Sequence, residues 1–359
     1  MGLIIEEIQF HRIQKELNKP FVTSLQTVAD RESIIVTVRS AGGLEGFGEC
    51  VAFSTPWYSE ETVESCRFVM EQVLKPLLVK KVLNAPGEVA ELFAGVKGNN
   101  MAKAAIEMAV WDLFAKFEGV SLWQYIGGIQ KQISAGVVVA ADSRNLLNEI
   151  EQVAAKGYSR IKVKISSQTD AEALKRVVER YPEILFFADA NGGFSEETFE
   201  RLQTFDDVGF ALIEQPFGER QWKLHARANR EMKTPICLDE SITGIHDVER
   251  MIEMQAGKII VLKMGRLGGW NETLKIVELC RRHNVGMWVG GMMEFGVSKA
   301  HNLALASLPD IVLPGDFSDS RYFWKEDIIL PEIEVINGKI TLQDKAGIGY
   351  DVNIDEAGL

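Results

Sequence analysis

The sequence is short of cysteine and histidine, and this shortage argues against two classes of protein. Its four cysteines, Cys50, Cys66, Cys237 and Cys280, form no CxxC or other framework. A disulfide-stapled scaffold or a zinc ribbon is therefore not expected, and reduced cysteines in or near cores suit a reducing cytoplasm. The five histidines are scattered, with no pair at metal-ligand spacing.

The chain also lacks basic runs and long apolar runs. Its net charge of −12 disfavours nucleic acid and anionic membrane surfaces as partners. No uninterrupted apolar stretch approaches membrane-spanning length. The first residues, MGLIIEEIQFHR, are not expected to act as a signal peptide, and Glu6 does not fit the myristoylation pattern. We therefore expect a cytoplasmic protein with neither nucleic acid nor membrane as a partner.

What the chain does have is the size and composition of a globular enzyme with two domains. It contains 359 residues, of which 46% are hydrophobic and 25% are charged. Residues 1 to 125 predict an α+β domain, because strand-like segments at 3–12, 33–39 and 45–53 precede helix-like segments at 60–78 and 101–117.

From about residue 134 the pattern changes to an alternation of strands and helices. Eight strand candidates, from 137–140 to 310–313, alternate with about seven helices. A doubly wound sheet would share this alternation, but regular spacing of charged strand ends favours a closed barrel over residues 126–317. The alternation stops after about residue 317, and we expect 318–359 to complete the first domain.

Five charged residues mark the ends of successive apolar runs at almost even intervals. They are Lys164, Asp189, Glu214, Asp239 and Lys263, and the intervals are 25, 25, 25 and 24 residues. Such an interval fits one strand, one helix and two short loops. The carboxyl ends of parallel barrel strands converge on one mouth, where active sites of that fold lie.

Three carboxylates on rigid strands predict a cation site. Asp189, Glu214 and Asp239 offer hard oxygen ligands that suit Mg²⁺, and Mn²⁺ accepts the same oxygens. Each acid could instead cap the following helix or lie on the surface. Glu240 is a rival ligand, and strand alternation predicts that only one of Asp239 and Glu240 faces the mouth.

The lysines predict bases on both sides of that cation. Lys162 and Lys164 are two residues apart on a strand and so point to one side, the barrel interior, where each is expected to lower the pKa of the other. The alternative is a solvated strand edge. Lys263 lies four strands further on, at the opposite wall. A proton next to a carboxylate could then pass to Lys164, with Lys162 and the metal stabilising the resulting enediolate.

Together these residues resemble the enolase superfamily, in particular its muconate-lactonising subgroup. The Lys-x-Lys at 162–164, the three carboxylates and the sixth-strand lysine all match, and the resemblance covers almost the whole chain. It implies an α/β fold, a modified TIM barrel (β/α)7β with an N-terminal α+β capping domain. It also implies Mg²⁺, a small-molecule carboxylate substrate and a homo-oligomer.

A narrower resemblance points to the o-succinylbenzoate synthase / N-succinylamino acid racemase family. It rests on the segments 47–52, 58–62, 101–104, 262–269, 290–294, 300–302 and 313–316. The family implies dehydration of 2-succinyl-6-hydroxy-2,4-cyclohexadiene-1-carboxylate to o-succinylbenzoate, a step toward menaquinone. Lys164 would act as base and then as acid, and Lys263 would stabilise the enediolate from the opposite face.

Many relatives also racemise N-succinylamino acids, with Lys164 and Lys263 exchanging protons on opposite faces. Arg266 is typical of those relatives and could tune the pKa of Lys263, although a surface arginine in a tight loop is the alternative. A dedicated N-acylamino acid racemase, a dipeptide epimerase and a non-catalytic barrel are the competing hypotheses. An epimerase needs polar groups near the eighth strand, where the sequence offers only Asp316.

The resemblance further implies that loops of the capping domain, around 20–27 and 51–58, cover the substrate. The predicted substrate-binding residues, besides the tuning residue Arg266, are Phe21, Val51, Trp57, Tyr58, Asn191, Gly291 and Met293, with Phe53 in the same apolar wall. The aromatic residues could instead be ordinary packing between domains. Relatives usually carry Gly-x-Ser near the first barrel strand, whereas residues 136–140 here read GVVVA. Phe295, Ser298 and Lys299 are also less usual, so pocket shape and substrate preference stay open.

Overall fold

A four-stranded antiparallel sheet organises the N-terminal part of the chain, with strand order β3-β2-β1-β4. The structure is a computed structural model that describes residues 2–22, 26–139 and 146–354. The four strands are β1 (Leu3–Val22), β2 (Thr27–Ser40), β3 (Glu45–Cys50) and β4 (Val82–Leu83). In β2, consecutive residues such as Ile34, Ile35 and Val36 are all buried, so this sheet is covered on both faces.

Helices of this region pack against the sheet or against one another. They are α1 (Val63–Val69), continued by a π-helical turn at Met70–Leu74, α2 (Lys75–Leu78), α3 (Glu88–Phe93), α4 (Asn100–Phe117) and α5 (Leu122–Tyr125). The long helix α4 lies directly on β3. A Cβ atom added at Gly48 would stand 2.0 Å from the carbonyl oxygen of Ala105, so only glycine permits this approach. The predicted α+β character is confirmed.

Eight parallel strands then form a nearly closed barrel. They are β5 (Gln132–Val139), β6 (Arg160–Lys164), β7 (Leu185–Asp189), β8 (Leu212–Glu214), β9 (Ile236–Leu238), β10 (Ile259–Leu262), β11 (Gly286–Val289) and β12 (Gly315–Asp316). Each strand from β5 to β11 pairs with the next, and β12 returns to pair with β5. The predicted closed barrel is confirmed, and a doubly wound sheet is excluded because the strand order has no switch point.

The predicted last strand at 310–313 is wrong. This segment belongs to the connection after the final barrel helix, and Val312 in it is 74% exposed. The eighth strand is instead the short β12. At the other end, β5 covers most of the predicted first strand, and Ala140 lies outside the described residues.

Helices surround the barrel and large side chains fill it. The helices are α6 (Leu146–Ala155), α7 (Ala171–Arg180), α8 (Phe199–Gln203), α9 (Trp222–Glu231), α10 (Ile245–Met254), α11 (Met264–Leu267), α12 (Trp270–His283) and α13 (Gly296–Ala306). Inside the barrel, Phe187, Leu212, Val261 and Trp288 form a buried cluster with Cys237. The interior is therefore a packed core that supports the residues at the mouth.

The C-terminal segment contacts both parts of the molecule. It comprises α14 (Ser320–Phe323), β13 (Ile329–Leu330), β14 (Lys339–Thr341) and β15 (Asp351–Val352). Asn18 donates a hydrogen bond to the carbonyl of Arg321, whereas β14 pairs with the barrel strand β5. The domain division at residues 125 and 126, with 318–359 completing the first domain, stays a prediction, and 355–359 lie outside the described residues. Among the described helices, none has the length and apolar character needed to cross a membrane.

Candidate active site

Strand register explains the even spacing of the charged residues. Lys164 on β6 pairs with Asp189 on β7, and Asp189 pairs with Glu214 on β8. Neighbouring strands lie about 4.8 Å apart, so these three side chains stand side by side at the carboxyl ends of their strands. Asp239 follows on the next strand, just beyond the end of β9. All three carboxylates are buried at the barrel mouth.

Lys162 stands among three carboxylates. Its Nζ atom lies 3.1 Å from Asp189 Oδ2, 3.2 Å from Glu214 Oε2 and 3.2 Å from Asp316 Oδ2. Burial acts to lower the pKa of Lys162, but these carboxylates outweigh it and raise the pKa well above its usual range. The predicted lowering of the pKa is therefore wrong for Lys162, because the net direction is upward.

Asp316, whose role the sequence left undefined, joins two buried cations. Its Oδ1 atom lies 2.7 Å from Nη1 of Arg160, and its Oδ2 atom contacts Lys162. Arg160 is fully buried and lies over the ring of Trp288, with its guanidinium carbon 5.1 Å from the ring centroid. Ion pairing explains why the pKa of Asp316 is lowered to about 2 despite burial. Asp316 therefore anchors Lys162 from the eighth strand.

Lys164 is the most accessible of the three lysines, with a side chain that is 27% exposed. Its Nζ atom lies 2.7 Å from Asp189 Oδ2 and also donates to Asn191. Asn191 in turn donates to Glu240 Oε1 at 3.0 Å. Glu240 lines the same pocket as Asp239, so the prediction that only one of this pair faces the mouth is wrong. Strand alternation does not apply because β9 ends at Leu238.

Lys263 lies at the opposite wall with Arg266 beside it. Lys263 Nζ is 2.7 Å from Asp239 Oδ2, and Arg266 Nη1 is 2.6 Å from Asp239 Oδ1. The hydroxyl of Tyr58 accepts hydrogen bonds from both cations. Burial acts to lower the pKa of Lys263, Asp239 raises it and Arg266 opposes that rise, so that the net direction is upward. Arg266 is buried, so the surface-arginine alternative is wrong.

The donor set fits a divalent cation in its chemistry. Burial, with the neighbouring charges of Asp189 and Asp239, raises the pKa of Glu214 well above its usual range. A bound cation would relieve this repulsion, and carboxylate oxygens are the ligands that hard divalent ions prefer. Among the described residues, no three His, Cys, Asp or Glu side chains already form a ready chelate. All three carboxylates already contact cationic side chains, with which a metal ion would compete. Lys162 and the other two lysines hold oxygens of all three, and Arg266 also holds Asp239.

An apolar pocket covers these polar groups. Its aromatic lining comes from the N-terminal region and from the C-terminal segment, namely Phe21, Phe53, Trp57, Tyr58, Tyr322 and Phe323. The barrel loops add the predicted Asn191, Gly291 and Met293. Val51 is not among the lining residues. It is buried against Gly265, where its Cγ2 atom would stand 2.4 Å from an added Cβ. Residues 23–25 of the predicted covering loop lie outside the described residues.

Several lining residues were not predicted from the sequence. Lys299, Ser318, Tyr322 and Phe323 all border the pocket. Lys299 was singled out only as unusual, and the other three follow the last strand in a segment without periodic pattern. Asp316 carried a usable signal, since a charged residue at the end of the eighth strand must also reach the mouth.

Comparison with known proteins gives matches over nearly the whole chain. Residues 6–127 match the family described as mandelate racemase / muconate lactonizing enzyme, N-terminal domain, and residues 145–357 match the enolase C-terminal domain-like family. An o-succinylbenzoate synthase of Geobacillus kaustophilus is 44% identical over 98% of this chain and 95% of its own length. An N-succinylamino acid racemase of Thermus thermophilus is 38% identical over the same shares.

Solved structures agree with the sequence matches. The crystal structure of an enolase superfamily member from Listeria innocua superimposes with a TM-score of 0.95 at 36% sequence identity. The superposition covers 99% of this chain and 96% of the other.

Proposed function

The chain belongs to the mandelate racemase / muconate lactonizing enzyme family of the enolase superfamily, and we propose that it is an o-succinylbenzoate synthase that also racemises N-succinylamino acids. The proposed main reaction is the Mg²⁺-dependent dehydration of 2-succinyl-6-hydroxy-2,4-cyclohexadiene-1-carboxylate, a step in menaquinone biosynthesis. The observation that carries the proposal is the placement of Lys164 and Lys263 on opposite walls of one apolar pocket, with three buried carboxylates between them.

In the dehydration, Lys164 carries out both proton transfers. Its neutral amine takes the proton from the ring carbon that bears the carboxylate, and the electron pair of the broken C–H bond enters an enediolate. Collapse of the enediolate breaks the C–O bond of the neighbouring carbon. The hydroxyl leaves as water with the proton that Lys164 returns, and the ring becomes aromatic. A partly exposed amine at the pocket surface suits this double role.

Two further lysines could stabilise the negative charge of the enediolate. Lys162 lies among the carboxylates, and Lys263 lies across the pocket from Lys164. Members of the superfamily bind a divalent metal ion, and we propose that Asp189, Glu214 and Asp239 hold Mg²⁺, although Mn²⁺ uses the same ligands. When bound there, the cation would supply positive charge beside the substrate carboxylate, on which negative charge develops.

The same geometry supports racemisation. Lys164 follows the second barrel strand and Lys263 follows the sixth, so they lie half a ring apart. One lysine can remove the α-proton of an N-succinylamino acid from one face while the other delivers a proton to the opposite face. Asp239, Arg266 and Tyr58 together fix the position of Lys263.

The alternatives are a dedicated N-acylamino acid racemase and, with less support, a dipeptide epimerase. The epimerase needs polar groups near the eighth strand to hold the dipeptide amine, and the sequence offers only Asp316 there. Here the carboxylate of Asp316 is occupied by Arg160 and Lys162. A non-catalytic barrel has no support, since the lysines and carboxylates of the site are all present.

We also propose a cytoplasmic location and a homo-oligomeric assembly. All four cysteines are free and buried, which suits a reducing compartment. The oligomer rests on the family resemblance alone. The partner of the site itself is a small-molecule carboxylate, as in the rest of the family.

The test is dehydration of the cyclohexadiene substrate by the purified protein with Mg²⁺, followed by loss of its ultraviolet absorbance. Rapid turnover that EDTA abolishes and added Mg²⁺ restores is the expected result. Absence of turnover by folded protein that a thermal shift shows to be metal-loaded would overturn the synthase. Racemisation of N-succinylamino acids by the same sample would then support the dedicated racemase.

A further inference from the structure

Lys299 is a buried lysine at the pocket that no step of the proposed chemistry uses. It lies in the first turn of α13, is 2% exposed and lines the pocket. Its Nζ atom donates to the carbonyl oxygen of Ser318 at 3.2 Å and lies 5.7 Å from the ring centroid of Phe323. Within the described ranges, no carboxylate oxygen lies within 4.0 Å of that Nζ atom.

This environment is unfavourable for an ammonium group. A buried cation without an anionic partner retains a large desolvation cost. The first turn of a helix adds to that cost, because the helix dipole favours negative charge there. The other lysines at the mouth, Lys162, Lys164 and Lys263, each contact a carboxylate. Lys299 differs from them because a bound anion would give its ammonium group the charge partner that the other three already have.

The position of Lys299 is fixed by the N-terminal region. The buried carboxylate of Glu49 accepts hydrogen bonds from the backbone N–H groups of Phe295 at 2.9 Å and Ser298 at 2.8 Å. These contacts hold the start of α13 in place. The backbone N–H of Lys299 also donates to the carbonyl of Phe295. Lys299 is thus presented to the pocket by a rigid helix rather than by a mobile loop.

Lys299 also lies on the other side of the mouth from the cation site. It follows β11, and its partner Ser318 follows β12, whereas Asp189 and Glu214 end β7 and β8. A substrate whose reacting carboxylate is held near β7 and β8 could therefore place a second anionic group near Lys299. Anion sites formed after the seventh and eighth strands recur in barrels of this kind.

We propose that Lys299 binds the second carboxylate of the substrate and so makes the site selective for dicarboxylates that carry a succinyl arm. The inference rests on the proposed function, since o-succinylbenzoate and N-succinylamino acids share this arm and differ elsewhere. Lys299 is a specificity-determining residue, remote from the bond that reacts. Tyr322 and Phe323 line the pocket beside it and can cover the methylene groups of the arm.

The experiment compares substrates that differ only in the distal charge. Exchange of the α-proton with deuterated solvent is measured for N-succinylphenylglycine and for N-(4-methylpentanoyl)phenylglycine, in which an isopropyl group replaces the carboxylate. The wild type should favour the succinyl compound by about 10- to 100-fold in kcat/KM, the value of a charge-assisted hydrogen bond. Lys299→Met should remove most of this preference through KM, and Lys299→Arg should restore it.

The matched control is Lys103→Met. Lys103 is a half-buried lysine of α4 whose Nζ also donates to a backbone carbonyl, that of Val96, and it does not line the pocket. This variant should keep the preference of the wild type. Thermal unfolding of every variant establishes that the proteins are folded. A Lys299→Met protein that is folded and retains the preference would overturn the inference.

A binding measurement separates this inference from the proposed chemistry. Titration calorimetry compares o-succinylbenzoate with 2-(4-methylpentanoyl)benzoate, in the presence of Mg²⁺. The inference is supported if the wild type binds the dicarboxylate more tightly and Lys299→Met abolishes this difference. That support holds even if no substrate exchanges its proton, because absence of exchange would overturn only the proposed function. Equal binding of both compounds by the wild type would overturn the inference even if exchange is rapid.

Discussion

The hydroxyl oxygen of Tyr58 lies 3.2 Å from the Nζ atom of Lys263, so the N-terminal region directly contacts the lysine at the sixth barrel strand. The same oxygen lies 2.6 Å from Nη1 of Arg266. Burial raises the pKa of Tyr58, so the phenol stays neutral and can accept from both cations. The position of Lys263 therefore depends on how the N-terminal region sits on the barrel.

Tyr58→Phe should impair racemisation more than dehydration. The change deprives two buried cationic donors of an acceptor, which costs about 1–3 kcal/mol of stability. In the proposed chemistry Lys263 moves a proton only in racemisation, so the kcat of that reaction should show the larger fall. Both rates and thermal unfolding are measured. Tyr125→Phe, at a partly buried tyrosine of α5 remote from the pocket, is the control. An equal fall in both reactions would contradict the assignment.

Lys164→Ala and Lys263→Ala should show complementary stereochemistry. In the proposed mechanism each lysine faces one side of the substrate, so each variant should lose exchange of the α-proton for one enantiomer of an N-succinylamino acid. The loss should be about 10²- to 10⁴-fold, the usual value of one general base. Exchange into deuterated solvent is followed by NMR for each pure enantiomer. Lys258→Ala, just before the opposite end of β10, should change neither rate. Loss for both enantiomers in only one variant would argue for a single base.

Asp316→Asn should destabilise the fold strongly. The change leaves the fully buried Arg160 without its charge partner, and breaking a buried pair costs about 3–5 kcal/mol. Asp344→Asn is the matched control, because its ion pair with Lys131 is about half exposed and should be worth under about 1 kcal/mol. Urea unfolding measures both. If the free energy of unfolding falls by similar amounts in the two variants, the ion pair between Asp316 and Arg160 is not a major contribution to stability.

Glu49 should make stability depend on pH between its unfolded and folded pKa values. Burial raises the pKa of Glu49 to about 8 from a usual value of 4.5, although the N–H groups of Ser298 and Phe295 oppose the shift. A raised pKa means that the folded state binds the proton more tightly. The contribution of Glu49 to the free energy of unfolding is therefore complete below its unfolded pKa. It falls as pH rises to about 8 and is absent above that pH.

The variant Glu49→Gln should accordingly lose less stability than the wild type across this range. Each unit of pKa difference corresponds to about 1.4 kcal/mol, so the curves should diverge by a few kcal/mol at most. The buried His225 and His301, whose pKa values burial lowers to about 4, act in the opposite direction but equally in both proteins. Urea unfolding at pH 5, 7 and 9 gives the comparison. Parallel curves would show that Glu49 ionises normally.

Residues at the carboxyl ends of the repeated barrel strands were predictable from the sequence. Lys164, Asp189 and Glu214 each end a strand of one repeating unit, and parallel pairing brings such ends to the same level. The opposition of Lys164 and Lys263 follows from counting four strands around the ring. The N-terminal strands were found by alternation, although β1 extends ten residues beyond the predicted end at residue 12.

Residues placed by contacts between distant segments could not be predicted. Tyr322 and Phe323 reach the pocket from a segment whose position depends on β14 pairing with β5. The error at Glu240 arose because alternation was extended past the end of a three-residue strand. The pKa of Lys162 was predicted from its neighbour in sequence, whereas three carboxylates from other strands decide it.

The register that joins Lys164, Asp189 and Glu214 also determines where the chain can change length. The helices between these residues, α7 and α8, have 10 and 5 residues, yet both units span the same interval. A residue gained or lost on the outer layer leaves the strand ends where they are. One residue gained within β7 would turn Asp189 toward the helices and remove it from the mouth. Homologues are therefore expected to differ in the lengths of the outer helices and loops, whereas the barrel strands keep the same number of residues.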